Sequence, residues 1–346
     1  MRFLRFVFSF TLFLFILFTL VPGCQCNSGE IKKTAADSLA DKLNSNPQLK
    51  GITDQIKADP KNPENYFQRA NVYNTLEQVK AAYADYSKAI ELDSSQPKYF
   101  LGLAELYFNT NNYKGAKQTL EQALKKNPDD NSIRLKIAQF SLYEKEYKSS
   151  LEELDRILAK DQQNADALFL KGMNLKEMGD TNSALKNFQK TVQANPEHFD
   201  AYMQLGLLHG ERGDKIALKY FDNAIRLDSS SEEAWYGRAM FLQNDGNDAE
   251  AKKTYRNLIA RQPQSEEAFY NLGYLYFDED SLDNAYKNFN FAVKVNPAYA
   301  EAYYMRGMCS IGMGNKSAGR TDIEQSLQLK PDFELAKEQI KKLEGK

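Results

Sequence analysis

The sequence predicts an all-α fold in which pairs of helices repeat along the chain. Three observations lead to this prediction. Apolar residues recur at helical spacing, a unit of thirty-four residues repeats through most of the 346-residue chain, and small residues recur at two fixed places in each unit. Together they predict a solenoid of helix pairs.

Residues Glu266–Tyr299 form the clearest copy of this unit, with two helices and a stop. Ser265 precedes the first helix, where we expect its hydroxyl to cap the helix. Asn296 and Pro297 close the second helix, because proline lacks an amide hydrogen and disfavours helical geometry in the residue before it. The two helices carry one apolar stripe each, comprising Ala268, Phe269, Leu272, Gly273, Leu275 and Tyr276, then Leu282, Ala285, Tyr286, Phe289, Ala292 and Val293.

Eight such copies follow one another over residues 63–333. Each first helix has a small residue at its middle, namely Ala70, Ala104, Ala138, Gly172, Gly206, Ala239, Gly273 or Gly307. Each second helix has one near its start, namely Ala82, Ala116, Ser150, Ala184, Ala217, Ala251, Ala285 or Gly319. Small residues in register let helix backbones approach closely, so these columns predict tight helix pairs that stack on their neighbours.

The period, the helix–turn–helix content, the small columns and the prolines that close five copies resemble the tetratricopeptide repeat. The resemblance covers about four-fifths of the chain. It implies a right-handed superhelical solenoid of about eight repeats with N- and C-terminal capping helices. It also implies that the first helices line a concave groove, where members of that family hold extended peptides or partner helices.

Two copies depart from the pattern. The copy at Asn131–Asn164 has Arg134 in a column that is aromatic or apolar elsewhere. We expect this arginine to extend its charge to water or to leave the contact underfilled. The copy at Phe199–Ser231 is one residue short just before Ala217, which predicts irregular helix packing there.

The chain begins with a targeting segment, predicted over residues 1–23. Arg2 and Arg5 give it a basic start, and Phe6 to Val21 form its apolar core. This arrangement is typical of a secretory signal peptide.

A small residue directly before Cys24, after an apolar run, resembles the lipobox of bacterial lipoproteins. In that family the cysteine is diacylated and becomes the mature N-terminus. The resemblance therefore implies an exported protein, lipid-anchored in the bacterial envelope at the outer membrane, with residues 24–33 as its tether. An uncleaved membrane anchor is the alternative, although the run is slightly short for a span of about 20 residues. Either way the repeats lie on the side of the membrane away from the cytoplasm.

The two ends of the repeat array have predicted caps. Residues 34–62 carry two modest apolar stripes, and Pro60 ends the second one, as in a degenerate copy of the repeat. Residues 334–346 predict a last helix with Ala336, Ile340 and Leu343 facing inward. Such caps cover the apolar faces that terminal repeats would otherwise expose.

The charge balance and the spacing of the histidines argue against nucleic-acid binding, metal binding and catalysis. Of the 45 basic residues two lie in the leader, so 43 remain against 47 acidic ones, without a basic block that would predict nucleic-acid binding. His198 and His209 lie eleven positions apart and belong to no metal-ligand or catalytic spacing. We therefore expect no enzymatic activity, no cofactor and no metal.

The predicted binding site lies on the first helices of the last three repeats. Six tyrosine and methionine residues occupy matching places there, namely Tyr236, Met240, Tyr270, Tyr274, Tyr304 and Met308. Three acids stand at the starts of the same helices, namely Glu233, Glu267 and Glu301. Tyrosine offers a large surface with a polar tip, and methionine adapts its shape, so this set suits a protein partner.

Two functions fit this sequence. The first is a membrane-anchored scaffold or adaptor that holds a protein partner during envelope assembly or secretion. The second is a surface lipoprotein that captures glycans or small molecules. The nearly uninterrupted period of residues 63–333 favours the scaffold, because capturing lipoproteins of this repeat type depend on insertions between repeats.

Overall fold

The computed structural model describes residues 46–345, and every regular element in that range is an α-helix. Contacts divide the chain into two units, Met1–Pro60 and Lys61–Lys346. The predicted leader, the predicted lipidation site Cys24, the predicted tether and the first part of the predicted N-terminal cap lie outside the described residues. Within the part that is described, no helix combines the length and apolar character needed to cross a bilayer.

The described part of the first unit is one helix, α1 (Pro47–Ala58). The side chain of Asn46 caps it by accepting hydrogen bonds from two backbone amides in its first turn. Leu49, Ile52 and Ile56 form its buried stripe, as the spacing in the sequence predicts.

The second unit is a solenoid of helix pairs followed by one last helix. All first helices have thirteen residues and all second helices fourteen, except one of twelve. The helices are α2 (Pro63–Thr75), α3 (Val79–Leu92), α4 (Pro97–Asn109), α5 (Tyr113–Lys126), α6 (Asn131–Tyr143), α7 (Tyr147–Lys160), α8 (Ala165–Glu177), α9 (Thr181–Ala194), α10 (Phe199–Glu211), α11 (Ile216–Leu227), α12 (Glu232–Asn244), α13 (Asp248–Arg261), α14 (Glu266–Asp278), α15 (Leu282–Val295), α16 (Ala300–Gly312), α17 (Lys316–Leu329) and α18 (Glu334–Leu343). Within this unit, from α2 to α18, helices that follow one another in the chain pack together. The predicted all-α superhelical solenoid is confirmed.

The two small columns bring the helices of each pair into close contact. A Cβ atom added to Gly172 would lie 2.6 Å from the Phe188 ring, and one added to Gly307 would lie 2.8 Å from the backbone oxygen of Gly319. These distances are shorter than van der Waals contact, so only the smallest side chains fit. The bulky residue one turn further along the second helix, such as Phe188, then fills the remaining space.

The shortened copy keeps its packing register. Its second helix, α11, begins two residues later than its siblings, and the side chain of Asp214 accepts a hydrogen bond from the Ile216 amide at 3.1 Å. Ala217 and Phe221 nevertheless remain buried like their equivalents. The turn before α11 is one residue longer than in the other copies and the helix is two residues shorter, so the missing residue comes from the start of the helix. The predicted irregular packing does not extend into the core.

Arg134 behaves differently from the sequence prediction. Its side chain is only 13 % exposed, and its guanidinium donates to the Glu153 carboxylate at 2.6 Å and to the Pro128 carbonyl at 2.6 Å. Little of the arginine side chain is open to water. It forms an ion pair inside the repeat, because the second helix of the same copy supplies a carboxylate.

The turn between the two helices of each repeat places the fifteenth residue of the repeat in the left-handed backbone conformation. Four copies place glycine there, with Gly179 at φ 85° and Gly314 at φ 89° as examples. The other four place Glu77, Asn111, Lys145 and Asp280 there, all with φ between 57° and 60°. A turn with one fixed geometry therefore connects the two helices of every copy, whichever residue occupies it.

Candidate protein-binding site

The six tyrosine and methionine residues predicted to bind a partner are all half-buried on α12, α14 and α16. We call this set, Tyr236, Met240, Tyr270, Tyr274, Tyr304 and Met308, the tyrosine–methionine strip. Half-burial means that packing holds each side chain in place while part of its surface stays open to a partner.

The first two members of the strip rest on the core between α12 and α13. The ring of Tyr236 lies 6.2 Å from the ring of Tyr255, and the Tyr255 hydroxyl lies 3.1 Å from the Met240 sulfur. The side-chain amide of Asn271 on α14 donates to the Tyr236 hydroxyl at 3.0 Å. This bond connects the α12 part of the strip to the next repeat. Burial raises the pKa of Tyr236, so the hydroxyl stays protonated.

The tyrosines of α14 and α16 share one core. Tyr270, Tyr274 and Tyr304 all pack on the buried cluster that includes Phe289, and the Tyr270 and Phe289 rings are 5.5 Å apart. Burial raises the pKa of Tyr270, and the nearby Glu301, Tyr274 and Tyr304 raise it further. The strip members on these two helices therefore lie close enough to act as one surface.

Aromatic residues at the ends of the repeats extend this surface. The ring of Tyr299, the last residue of its repeat, packs in a tilted arrangement 5.0 Å from the Tyr270 ring, and the Phe333 ring lies 5.1 Å from the Tyr304 ring. His198 lies 4.6 Å from Phe169 in the same way. Tyr299 and Phe333 were not predicted from the sequence as parts of the site. Both stand at the N-cap position of a helix, where other copies have the polar residues Asp130, Asn164 and Ser231, and this exchange of a polar for an aromatic residue could have indicated them.

The three acids of the predicted site have different surroundings. Glu233 is exposed. Glu301 accepts a hydrogen bond from the Lys330 ammonium group at 2.8 Å. Glu267 is half-buried, and its burial raises the pKa of its carboxyl group, with the neighbouring Glu266 and Glu232 raising it further.

Ser265 does not form the predicted cap. It occupies the N-cap position of α14, but its side chain makes no capping hydrogen bond. Its hydroxyl is buried, with the residue only 2 % exposed, and it has no hydrogen-bond partner within residues 46–345. One repeat earlier, by contrast, the Ser231 hydroxyl accepts a hydrogen bond from the Ala234 amide and so caps α12.

The two histidines have separate structural partners. The His198 ring accepts a hydrogen bond from the Ala201 amide at 3.3 Å and so caps α10. The His209 ring lies 2.9 Å from the Asp214 carboxylate in the turn before α11. Among the described residues no three histidine, cysteine or acidic side chains are grouped as metal ligands would be.

Comparison with known sequences identifies the repeat. Sequence models of the tetratricopeptide repeat match residues 75–140 and 112–172, residues 166–198 and 233–265, and residues 266–299 and 300–333. Together these matches cover more than half of the chain. No curated protein matches the sequence.

Solved structures with helical repeats are also similar. A tetratricopeptide repeat protein from Parabacteroides merdae is 20% identical over 72% of this chain and 99% of its own, with a TM-score of 0.49. MamA is 21% identical over 46% of this chain and 94% of its own, with a TM-score of 0.44. YrrB, described as having an unusual peptide-binding site, is 26% identical over 54% of this chain and 96% of its own, with a TM-score of 0.39.

Proposed function

Because the chain belongs to the tetratricopeptide repeat family, we propose that it is an interaction scaffold that holds a segment of a protein partner against the tyrosine–methionine strip. The observation that carries this proposal is the half-burial of all six strip residues on three successive first helices. Rigid aromatic side chains with one open face are typical anchors at protein interfaces. Sugar or small-molecule capture remains the alternative, and the lack of insertions in residues 63–333 argues against it.

We also propose that the scaffold is a lipoprotein anchored through Cys24 to the bacterial envelope, at the outer membrane. The support is the basic start, the apolar run and the small residue before Cys24. A lipid anchor on a short tether would keep the repeats at the membrane surface, where they could hold a partner during envelope assembly or secretion.

Replacing Cys24 by serine tests the anchor. We expect Cys24→Ser to leave an exported protein that moves into the aqueous phase on detergent extraction, because the leader is intact and only the acylated residue is lost. Phase partitioning of membranes from cells that produce each form measures this. A variant that stays in the detergent phase as the parent chain does would instead favour the uncleaved anchor.

Removing two anchors from the strip tests the scaffold. A partner captured from solubilised membranes is titrated against the parent chain and against the Tyr270→Ala, Tyr274→Ala double variant. We expect the double variant to bind more weakly by more than about 2 kcal/mol, because central aromatic anchors carry much of an interface's binding energy. Calorimetric titration gives the affinities, and thermal melting verifies that the variant is folded, since Tyr270 also packs on the core.

A matched change at the other end of the array is the control. Phe67 and Asn71 occupy the equivalent places in the first repeat, so Phe67→Ala, Asn71→Ala should leave binding unchanged. Loss of binding in this control alone would place the partner on the first repeats and overturn the assignment to the strip.

A further inference from the structure

The last repeat contains a lysine held by an acid and an aromatic pair. The Lys330 ammonium group donates to the Glu301 carboxylate at 2.8 Å and lies 5.2 Å from the centre of the Phe333 ring. Phe333 in turn packs against Tyr304 at 5.1 Å. The acid neutralises the charge of the ammonium group, and the ring attracts it through the negative potential of its face.

The first repeat contains a similar arrangement with a lysine from the following helix. Lys98 on α4 lies 2.6 Å from the Glu64 carboxylate, 5.7 Å from the Phe67 ring centre and 5.4 Å from the Tyr99 ring centre. The two rings are 5.3 Å apart. The hydrogen bond from Lys98 lowers the pKa of Glu64, as a bound cation should.

The seventh repeat has the same acid and rings without a lysine. Glu267, Tyr270 and Tyr299 stand thirty-four positions before Glu301, Tyr304 and Phe333, and we call these three residues the Glu267 pocket. Asn296 stands where the last repeat has Lys330. Over the described range, 46–345, no lysine, arginine or histidine pairs with Glu267.

The electrostatics of the Glu267 pocket agree with a missing cation. Burial raises the pKa of Glu267, whereas the lysine-bound Glu64 has a lowered pKa. Burial also raises the pKa of Tyr299, and the nearby Tyr270 and Glu267 raise it further. A hydrogen bond from its own backbone amide lowers the pKa of Glu267 but does not neutralise its charge. An incoming ammonium group would supply the counter-charge that a half-buried carboxylate needs.

The repeat at residues 165–198 shows that an acid near a pair of rings does not by itself make a cation site. Asp166 precedes Phe169, whose ring lies 4.6 Å from the His198 ring, but Asp166 is exposed. The Asp166 carboxylate remains hydrated, so pairing with a cation would stabilise it little. The Glu267 pocket differs because its acid is half-buried.

We propose that the Glu267 pocket binds the ammonium group of a lysine side chain that the protein partner inserts. The assignment to lysine follows from the chain itself, which places a lysine in both of the related arrangements. This inference rests on the proposed function, since it places one anchor of the partner beside the tyrosine–methionine strip.

A lysine added to the chain itself tests whether the Glu267 pocket is stabilised by an ammonium group, and it needs no partner protein. Asn296→Lys in the full chain adds an ammonium group at the sequence position equivalent to Lys330. Asn296→Met likewise loses the hydrogen bond that the Asn296 amide donates to Glu266 at 3.2 Å and the one that it accepts from the Ala298 amide, but adds no charge. We expect Asn296→Lys to melt at a higher temperature than Asn296→Met, and this difference to vanish when both also carry Glu267→Gln. A difference that is absent, or that persists without Glu267, would overturn the pocket.

Peptide libraries test the recognition of a partner's lysine. Degenerate peptides with a central lysine, and matched peptides with Nε-acetyllysine, are passed over the immobilised full chain in mild detergent. We expect about tenfold preference for lysine, from one charge-assisted hydrogen bond and the adjacent rings. The preference should disappear in Asn296→Lys and in Glu267→Gln and remain in Asp166→Asn.

The outcomes separate this inference from the proposed function. Equal retention of both libraries overturns the lysine pocket and leaves the scaffold proposal standing. A lysine preference that survives Asn296→Lys also overturns the pocket, because the lysine then binds elsewhere. Retention of neither library contradicts peptide binding on the strip, and the lysine assignment falls with it.

Discussion

Replacing Phe221 by alanine is expected to lower the free energy of unfolding by about 4 kcal/mol. The Phe221 side chain is 2 % exposed and lies between two glycines of successive first helices. A Cβ atom added to Gly206 would lie 2.8 Å from its ring, and one added to Gly237 would lie 2.7 Å away. Because neither glycine has a side chain that could move into the space, the cavity would stay open.

Urea unfolding of the full chain measures this loss, and amide exchange locates it. We expect faster exchange chiefly in α10 to α12, because each repeat contacts only its neighbours. Ile216→Ala is the control, since Ile216 in the same repeat is 41% exposed and should cost less than about 0.5 kcal/mol. A loss for Phe221→Ala no larger than that of the control would show that the helices close over the cavity.

Replacing Glu153 by glutamine is expected to cost about 2 kcal/mol, because the mostly buried Arg134 guanidinium loses its hydrogen-bonded counter-charge and keeps only the electrostatic attraction of Asp129. The two side chains are 13 % and 12 % exposed and 2.6 Å apart. The Pro128 carbonyl, which also accepts from Arg134, carries no net charge and compensates only in part. The third repeat should therefore become the least protected part of the array.

The measurement is again urea unfolding, with amide exchange in α6 and α7. Glu324→Gln breaks an exposed ion pair with Arg320 and should produce no measurable change. The joint replacement Arg134→Met, Glu153→Leu should recover most of the loss, because it removes both charges from the interior. If Glu153→Gln were as stable as the parent chain, hydrogen bonds alone would be holding Arg134.

The fold followed from the sequence to a large extent. A small residue at two fixed places in each copy, and a bulky residue one turn after the second, already specified which faces of the helices meet. The structure keeps this arrangement in the shortened copy as well, where Ala217 and Phe221 stay buried although the helix that carries them has lost two residues at its start. Periodicity succeeds because every contact within a repeat array joins residues at a constant separation.

The wrong predictions concern single side chains with partners in another element. Arg134 was expected at the surface or beside a void, and its carboxylate partner lies on the second helix of the same copy. Ser265 was expected to cap α14, and its hydroxyl is instead buried without a bond. Helical spacing identifies a face, but it does not specify which rotamer a side chain adopts or which group it meets.

The sequence by itself determined the repeat, the paired helices and the helices that carry the tyrosine–methionine strip, because these depend on local spacing that recurs eight times. Only the tertiary structure decided how the acids beside the strip differ. Glu301 has Lys330 as its partner, whereas the half-buried Glu267 forms no ion pair with any residue in the described range 46–345. That difference depends on the burial and the neighbours of each carboxylate, which arise only when successive repeats stack.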